Sequence, residues 1–323
     1  MKERLSIGVD IGGTSIKLAV VDSRGNIVHK WNIRTDTSEK GRNISSDINA
    51  TITETINQLN MSPSDIEGIG IGVPGFINIE SGFIYGAINI GWENYPLKDD
   101  LEARSGYPVM IDNDANLAAL GEMWKGAGNQ VSNLICITLG TGIGGGIILN
   151  GQILHGVNGM AGEIGHITSI MENGAPCNCG KTGCLETIAS ATGISRIAAE
   201  GIDCNPDSAL SKVLKENGQI TSEDVFTATN QGDEWANEVI RYISKHLGIA
   251  IANMSNVLNP SRIVIGGGVS RAGDQLMTPL KEVFSRFALP RVSQGAEFAV
   301  ASLGNDAGVI GAARLIEIQS FER

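Results

Sequence analysis

Between positions 163 and 186 the chain reads Glu163-Ile164-Gly165-His166 and, after a gap, Cys177-Asn178-Cys179-Gly180-Lys181-Thr182-Gly183-Cys184-Leu185-Glu186. Three thiols and one imidazole this close together make a complete tetrahedral Cys3His donor set, the composition of a closed structural zinc site. Gly180 and Gly183 let a short loop fold tightly enough to bring three sulfurs to one ion. Glu163 and Glu186 flank the ligands without belonging to the set. The metal would then be a clip that fixes where those carboxylates and the far nitrogen of His166 point. Two other readings of the cysteines exist. Burial as small apolar residues suits Cys136 and Cys204, but the polar, glycine-rich surroundings of 177, 179 and 184 make a poor core. Disulfide pairing expects a secreted chain, and nothing marks this one as secreted.

Those residues need a scaffold, and the bulk numbers bound it. At 323 residues the chain exceeds the size at which one core stops growing, so two domains are expected. A hydrophobic share of 42% with 18% charged residues is that of a soluble globular protein. The formal charge of −11 argues against a nucleic-acid surface, which needs a basic face. It leaves a nucleotide ligand open, because backbone N–H groups, magnesium and one lysine can hold phosphates whatever the net charge. The N-terminus runs directly into an apolar strand without a signal-peptide pattern. Residues 127–161 carry no charge, yet Asn, Gln, Thr and many glycines interrupt them, so no apolar run reaches the ~20 residues of a membrane span. The expectation is a soluble, cytoplasmic protein with no membrane contact.

Residues 5–10 read as a buried strand, followed by a Gly12-Gly13 turn and strands over 16–21 and 27–33. Ile44, Ile48, Ile52 and Ile56 recur every fourth residue, one face of an amphipathic helix. Residues 66–73 form another strand, closed by Pro74-Gly75. The same order restarts downstream, with strands over 133–139 and 143–149 about the turn Gly140-Thr141-Gly142. Asn150-Gly151 is a type I′ hairpin signal leading to a third strand over 152–155. A helix over 235–257 precedes the strand 263–265, which ends in Gly266-Gly267-Gly268. Two similar α/β halves are expected to face each other across a cleft, their glycine turns gripping a phosphate chain from both sides. A strand over 298–303 and a helix from Ala307 close the chain. The expected division is 1–114 and 115–306, with the last helix, about 307–323, returning to the first domain.

Asp10-Ile11-Gly12-Gly13-Thr14-Ser15-Ile16-Lys17, Asp112-Asn113-Asp114, Leu139-Gly140-Thr141-Gly142-Ile143-Gly144-Gly145-Gly146 and the cysteine cluster occur in the order seen in the ROK family (repressor, open reading frame, kinase). The chain resembles that family over essentially its whole length. Through residues 118–128 it is most similar to the bacterial ATP-dependent glucokinases within it. The resemblance implies a duplicated ribonuclease-H-like fold of the actin/hexokinase-like ATPase superfamily, two domains about a central cleft. It also implies transfer of the terminal phosphoryl group of ATP to glucose, giving glucose 6-phosphate, with Mg2+ and Zn2+ bound, in a homodimer.

Phosphoryl transfer needs positioning and charge neutralisation more than covalent help. Gly12, Gly13 and Thr14 could present N–H groups and a hydroxyl to phosphate oxygens, with Thr141 and Gly142 as the opposing clamp. Lys17 either adds positive charge there or is a solvated strand residue. Asp10 reads as the magnesium partner, through water, or as an ordinary turn-forming Asp. Gly267 and Gly268 resemble the family's adenosine-facing turn, with a structural strand-to-helix turn as the alternative. Asp114 is the expected general base, worth about 10²–10⁴-fold; its alternative is an N-cap for a helix starting at Ala115. Gly75, Asn113, Asp114, Glu163, His166 and Glu186 match the family's sugar-binding positions, and His166, Cys177, Cys179 and Cys184 its zinc ligands. Other readings are a kinase for N-acetylmannosamine, N-acetylglucosamine or fructose, and a sugar-responsive repressor. The repressor needs a DNA-binding segment ahead of a first strand that here starts near residue 5. A filament or chaperone ATPase gives no reason for the cysteine loop.

Overall fold

The structure is a computed structural model that describes residues 4–322. Apolar, β-rich runs build its first sheet. Leu5–Ile11 (β1) pairs antiparallel with Ser15–Asp22 (β2), which pairs with Ile27–Arg34 (β3). Ile44–Gln58 (α1) buries Ile44, Ile48, Ile52 and Ile56 against this sheet, each burial worth roughly 1.5–3 kcal/mol. Ile66–Val73 (β4) runs parallel to β1, with Asp10 opposite Gly72. Phe76–Asn78 (β5), Phe83–Ala87 (β6) and Trp92–Tyr95 (β7) make a separate three-stranded sheet. Leu97–Ser105 (α2) then leads to Val109–Asn113 (β8), parallel to β4. The five-stranded order is β3-β2-β1-β4-β8.

Asp114–Lys125 (α3) crosses to a second sheet of Leu134–Leu139 (β9), Ile143–Leu149 (β10) and Gln152–Ile153 (β11). The helices Glu186–Ala189 (α4), Ala191–Glu200 (α5), Ala209–Asn217 (α6), Ser222–Asn230 (α7) and Glu234–Leu258 (α8) cover it. Asp233 caps α8 by accepting from the Ala236 N–H at 2.8 Å, and Asn259 ends it in a left-handed turn. Arg262–Gly266 (β12), Asp274–Phe287 (α9), Pro290–Gly295 (α10) and Glu297–Val300 (β13) complete the sheet. Its order, β11-β10-β9-β12-β13, repeats that of the first sheet position for position. The expected duplication is therefore present.

Ala307–Glu322 (α11) packs on the first sheet, where a Cβ at Gly8 or Gly70 would overlap the carbonyl oxygens of Val309 or Ala312. Only glycine permits so close an approach of helix to strand. Arg323, the end of the span expected for this helix, lies outside the described residues. No helix among the described residues is long and apolar enough to cross a membrane.

Several expectations need correction. The third strand of the second half stops at Ile153, because His155 turns away from the sheet toward Asp112. The strand expected over 298–303 stops at Val300. Past it, the Ser302 and Leu303 N–H groups donate to the buried Glu122 carboxylate rather than to a neighbouring strand. Cys136 is buried as expected, but Cys204 is exposed, because Ile202 takes the inward position in their short turn. The sheet of β5, β6 and β7 has strands too short for a periodic signal.

Candidate active site

The site forms where the strands of the two sheets end. Asp10 near the end of β1 pairs with Lys17 across β2 at 3.2 Å. Lys17 is more than a third exposed, so the pair adds little stability. What it does is hold one cation and one carboxylate at the cleft.

At the junction of β8 and α3, Asn113 caps the helix, its side-chain oxygen accepting from the Ala115 and Asn116 N–H groups at 2.9 and 3.3 Å. The capping role weighed for Asp114 therefore belongs to Asn113. Asp114 is the first residue of α3, turned to the cleft. Burial, then the negative charge of Asp10 and more weakly that of Glu163, hold its carboxyl above the ordinary aspartate range. The Ala115 N–H opposes this by donating to Oδ1 at 2.9 Å.

The cysteine loop closes as the donor spacing implies. One donor atom from each of His166, Cys177, Cys179 and Cys184 lies within 4.8 Å of all the others. Cys177 Sγ stands 3.6 Å from His166 Nδ1, and Cys179 Sγ 3.6 Å from Cys184 Sγ. Ligands on a tetrahedral zinc sit about 3.5–3.8 Å apart given its bond lengths. The donor set therefore fits zinc in chemistry and in dimension. With Nδ1 on the sulfur side, Nε2 of His166 faces the Glu163 carboxylate at 3.8 Å. Glu186 spans two elements: Oε1 lies 3.9 Å from Cys177 Sγ, while Oε2 accepts the Ile143 N–H at 2.9 Å. A side chain at Gly142 would collide with that carboxylate. Glu186 thus ties the cysteine loop to the glycine turn between β9 and β10.

Asp10, Lys17, Gly75, Asn113, Asp114, Gly142, Glu163, His166, Glu186 and Gly267 line one cleft of about 600 Å³. Gly12, Gly13, Thr14, Thr141 and Gly268 do not line it. The Gly12 N–H closes its own turn onto the Ser15 carbonyl at 3.1 Å, and Thr35 donates to the Gly12 carbonyl. Gly13, Thr14 and Thr141 are exposed beyond the cleft walls. Gly267, at φ +82°, presses against the Leu139 backbone, which locks the end of β12 beside the β9–β10 turn. Phe76, Thr138 and Asn305 also line the cleft, and sequence reasoning passed over all three. Thr138 had a positional signal, preceding the Leu139-Gly140 turn as Asp10 precedes its own. Phe76 and Asn305 had none.

The profile of the ROK family matches residues 6–319. A glucokinase from Halalkalibacterium halodurans is 56% identical over 319 residues, covering 99% of this chain and 97% of that one. The solved ROK family glucokinase of Streptomyces griseus, in complex with glucose and AMPPNP, superposes with a TM-score of 0.75 at 36% identity, over 96% of this chain and 98% of its own. The ROK hexokinase of Thermus thermophilus superposes with a TM-score of 0.81 at 29% identity, over 99% and 100%. With the duplicated sheets and the cleft between them, these matches establish that the chain belongs to the ROK family.

Proposed function

We propose that the chain is an ATP-dependent glucokinase that forms glucose 6-phosphate. One observation carries the reading: Asn113, Asp114, Glu163, His166 and Glu186 converge on the same cleft as Asp10, Lys17, Gly142 and Gly267. Several fixed carboxylates and an amide suit a polyol, whose hydroxyls must regain the hydrogen bonds they made with water. The relatives add weight, since one is a glucokinase at 56% identity and another holds glucose with an ATP analogue.

In this reading Asp114 accepts the proton of the attacking hydroxyl as its oxygen bonds to the terminal phosphorus of ATP. The bond from that phosphorus to the bridging oxygen breaks, and ADP leaves. The raised affinity of Asp114 for protons suits a group that takes one up at this step. Asn113, Glu163, His166 and Glu186 hold the sugar. Lys17 faces the phosphates, while Gly142 and Gly267, and beyond the walls Gly12, Gly13, Thr14, Thr141 and Gly268, shape the turns around the nucleotide. Asp10 would hold magnesium through water, and that ion would supply charge neutralisation between phosphate oxygens. His166, Cys177, Cys179 and Cys184 would hold zinc, which would orient the loop and take no part in transfer. Closure about the cleft would exclude water and limit ATP hydrolysis. Family membership supports a cytoplasmic location and a homodimer, and light scattering on the purified protein would test the dimer.

The test is a coupled assay with ATP against glucose, fructose, N-acetylmannosamine and N-acetylglucosamine. The expected result is the highest kcat/KM for glucose. Higher values for an N-acetylhexosamine would move the substrate assignment, and no turnover of any hexose would end the reading.

A further inference from the structure

Behind the catalytic junction lies a polar contact that the mechanism above does not use. Asp112, in β8 of the first sheet, is buried, with a side chain 1% exposed. Its Oδ1 accepts from the Asn113 N–H at 2.7 Å and from Asn116 Nδ2 at 2.9 Å. Its Oδ2 lies 2.6 Å from Nε2 of His155, which comes from the second half, just past β11. Glu80 and Lys98 line a cavity of about 370 Å³ beside the same pair, and neither is hydrogen-bonded to Asp112. A buried carboxylate without a donor on each face would be costly, so His155 is the partner that makes Asp112 tenable there. The hydrogen bond that Asp112 accepts in turn holds the imidazole above its usual pKa.

The contact sits between the two ends of the sugar site. On one side, Asp112 directly precedes Asn113 and Asp114. On the other, His155 opens the loop that ends in Glu163 and His166, and its carbonyl closes that loop by accepting the Ala161 N–H at 3.0 Å. The loop's far end packs closely on β10, where a Cβ at Gly162 would sit 3.1 Å from the Gly145 carbonyl oxygen. Contacts at both ends thus lead the loop from His155 back to β10.

We infer that His155 is a positioning residue for sugar phosphorylation, bridging to Asp112 so that Glu163 and His166 are held in register with Asn113 and Asp114. The inference rests on the glucokinase reading. It predicts a loss in sugar binding apart from nucleotide binding, because the bridge joins the segments that carry Asn113, Asp114, Glu163 and His166 and hydrogen-bonds to neither Asp10 nor Lys17.

The experiment compares His155→Ala, His155→Gln, Asp112→Asn and the double variant Asp112→Asn/His155→Ala, with melting curves to confirm folding. Glucose and ATP constants are measured separately, and glucose binding is also followed by calorimetry. His155→Ala should raise the glucose KM or Kd about tenfold or more, as misplacement of a positioned group commonly does, with the ATP KM within about twofold. His155→Gln, whose amide reaches a similar donor position, should recover most of the loss. The double variant should be little worse than either single change. Glucose constants within about twofold of wild type in His155→Ala, strict additivity in the double variant, or parallel loss of glucose and ATP constants would each overturn the inference. Should His155→Ala not fold, the glucose-to-ATP split in Asp112→Asn decides in the same way. Wild-type protein that phosphorylates no hexose sinks the underlying reading and this inference together. Wild-type activity with an unaffected His155→Ala sinks only the bridge.

Discussion

Asp10 and Thr138 occupy the same position in the two halves. Each is next to last in the first strand of its sheet, and each faces an antiparallel partner on one side and a parallel one on the other. For Asp10 the neighbours are Lys17 and Gly72; for Thr138 they are Gly144 and Gly266. One scaffold position thus carries an ion pair in the first half and a hydroxyl between glycines in the second. The halves also differ in what interrupts them. The first inserts β5–β7 after β4, and the second inserts the cysteine loop after β11. The repeated strands bring two turns together, and the unrepeated pieces make the cleft unlike at its two ends. Duplication built the frame, and departures from it supplied the chemistry.

The largest effect should come from Asp114. Asp114→Asn should lower kcat by about 10²–10⁴-fold in the coupled assay while the protein stays folded. Because burial and like charge raise the folded-state pKa of Asp114, its ionised form destabilises the fold at neutral pH. The same variant should therefore melt at a higher temperature than wild type. A nearly active variant would remove the assigned base.

Next comes the comparison itself. Asp10→Asn should reduce kcat on the order of a hundredfold, the usual loss when a group acting on a transferring phosphoryl is removed. Thr138→Ala should cost about fivefold or less, the loss of one neutral hydrogen bond worth roughly 1 kcal/mol. Equal losses at the two positions would mean that the halves share the nucleotide evenly.

The cysteine loop should show a loss confined to the sugar. Cys179→Ser should lower bound zinc, read by atomic absorption, and raise the glucose KM about 10–100-fold with the ATP KM little changed. Metal loss with an unchanged glucose KM would leave the loop structural only.

The smallest effect concerns pH. Activity requires the Asp114 carboxylate, so kcat/KM should fall as pH drops through a pKa above the ordinary aspartate value. Asp10→Asn or Glu163→Gln removes a like charge, so the acid limb should move to lower pH in either variant. Movement to higher pH would show that those charges do not act on Asp114.

Features carried by neighbouring residues were legible before any coordinates. The isoleucines of α1 sit four apart because one helical face is buried, and the sequence shows that spacing directly. Gly180 and Gly183 between closely spaced thiols announced the metal loop. The Asn150-Gly151 hairpin holds both residues at left-handed φ, which is why those residue types were readable there. The strand ends failed at residues 155 and 302–303 for a different reason. There, carboxylates from elsewhere in the chain, Asp112 and Glu122, draw the backbone or side chain away from the sheet. Local propensity carries no record of a partner 43 or 180 residues distant.

The division follows from range. By itself the chain determined the two glycine turns, the repeated strand order and the Cys3His donor set, because each depends on bonds and periodicities within a few residues. Only the tertiary structure decided that Asn113 rather than Asp114 caps α3, that Glu186 ties the cysteine loop to the Ile143 N–H, and that His155 meets Asp112 across the two halves. Those outcomes depend on which polar groups are left without water when two separately encoded surfaces close on each other.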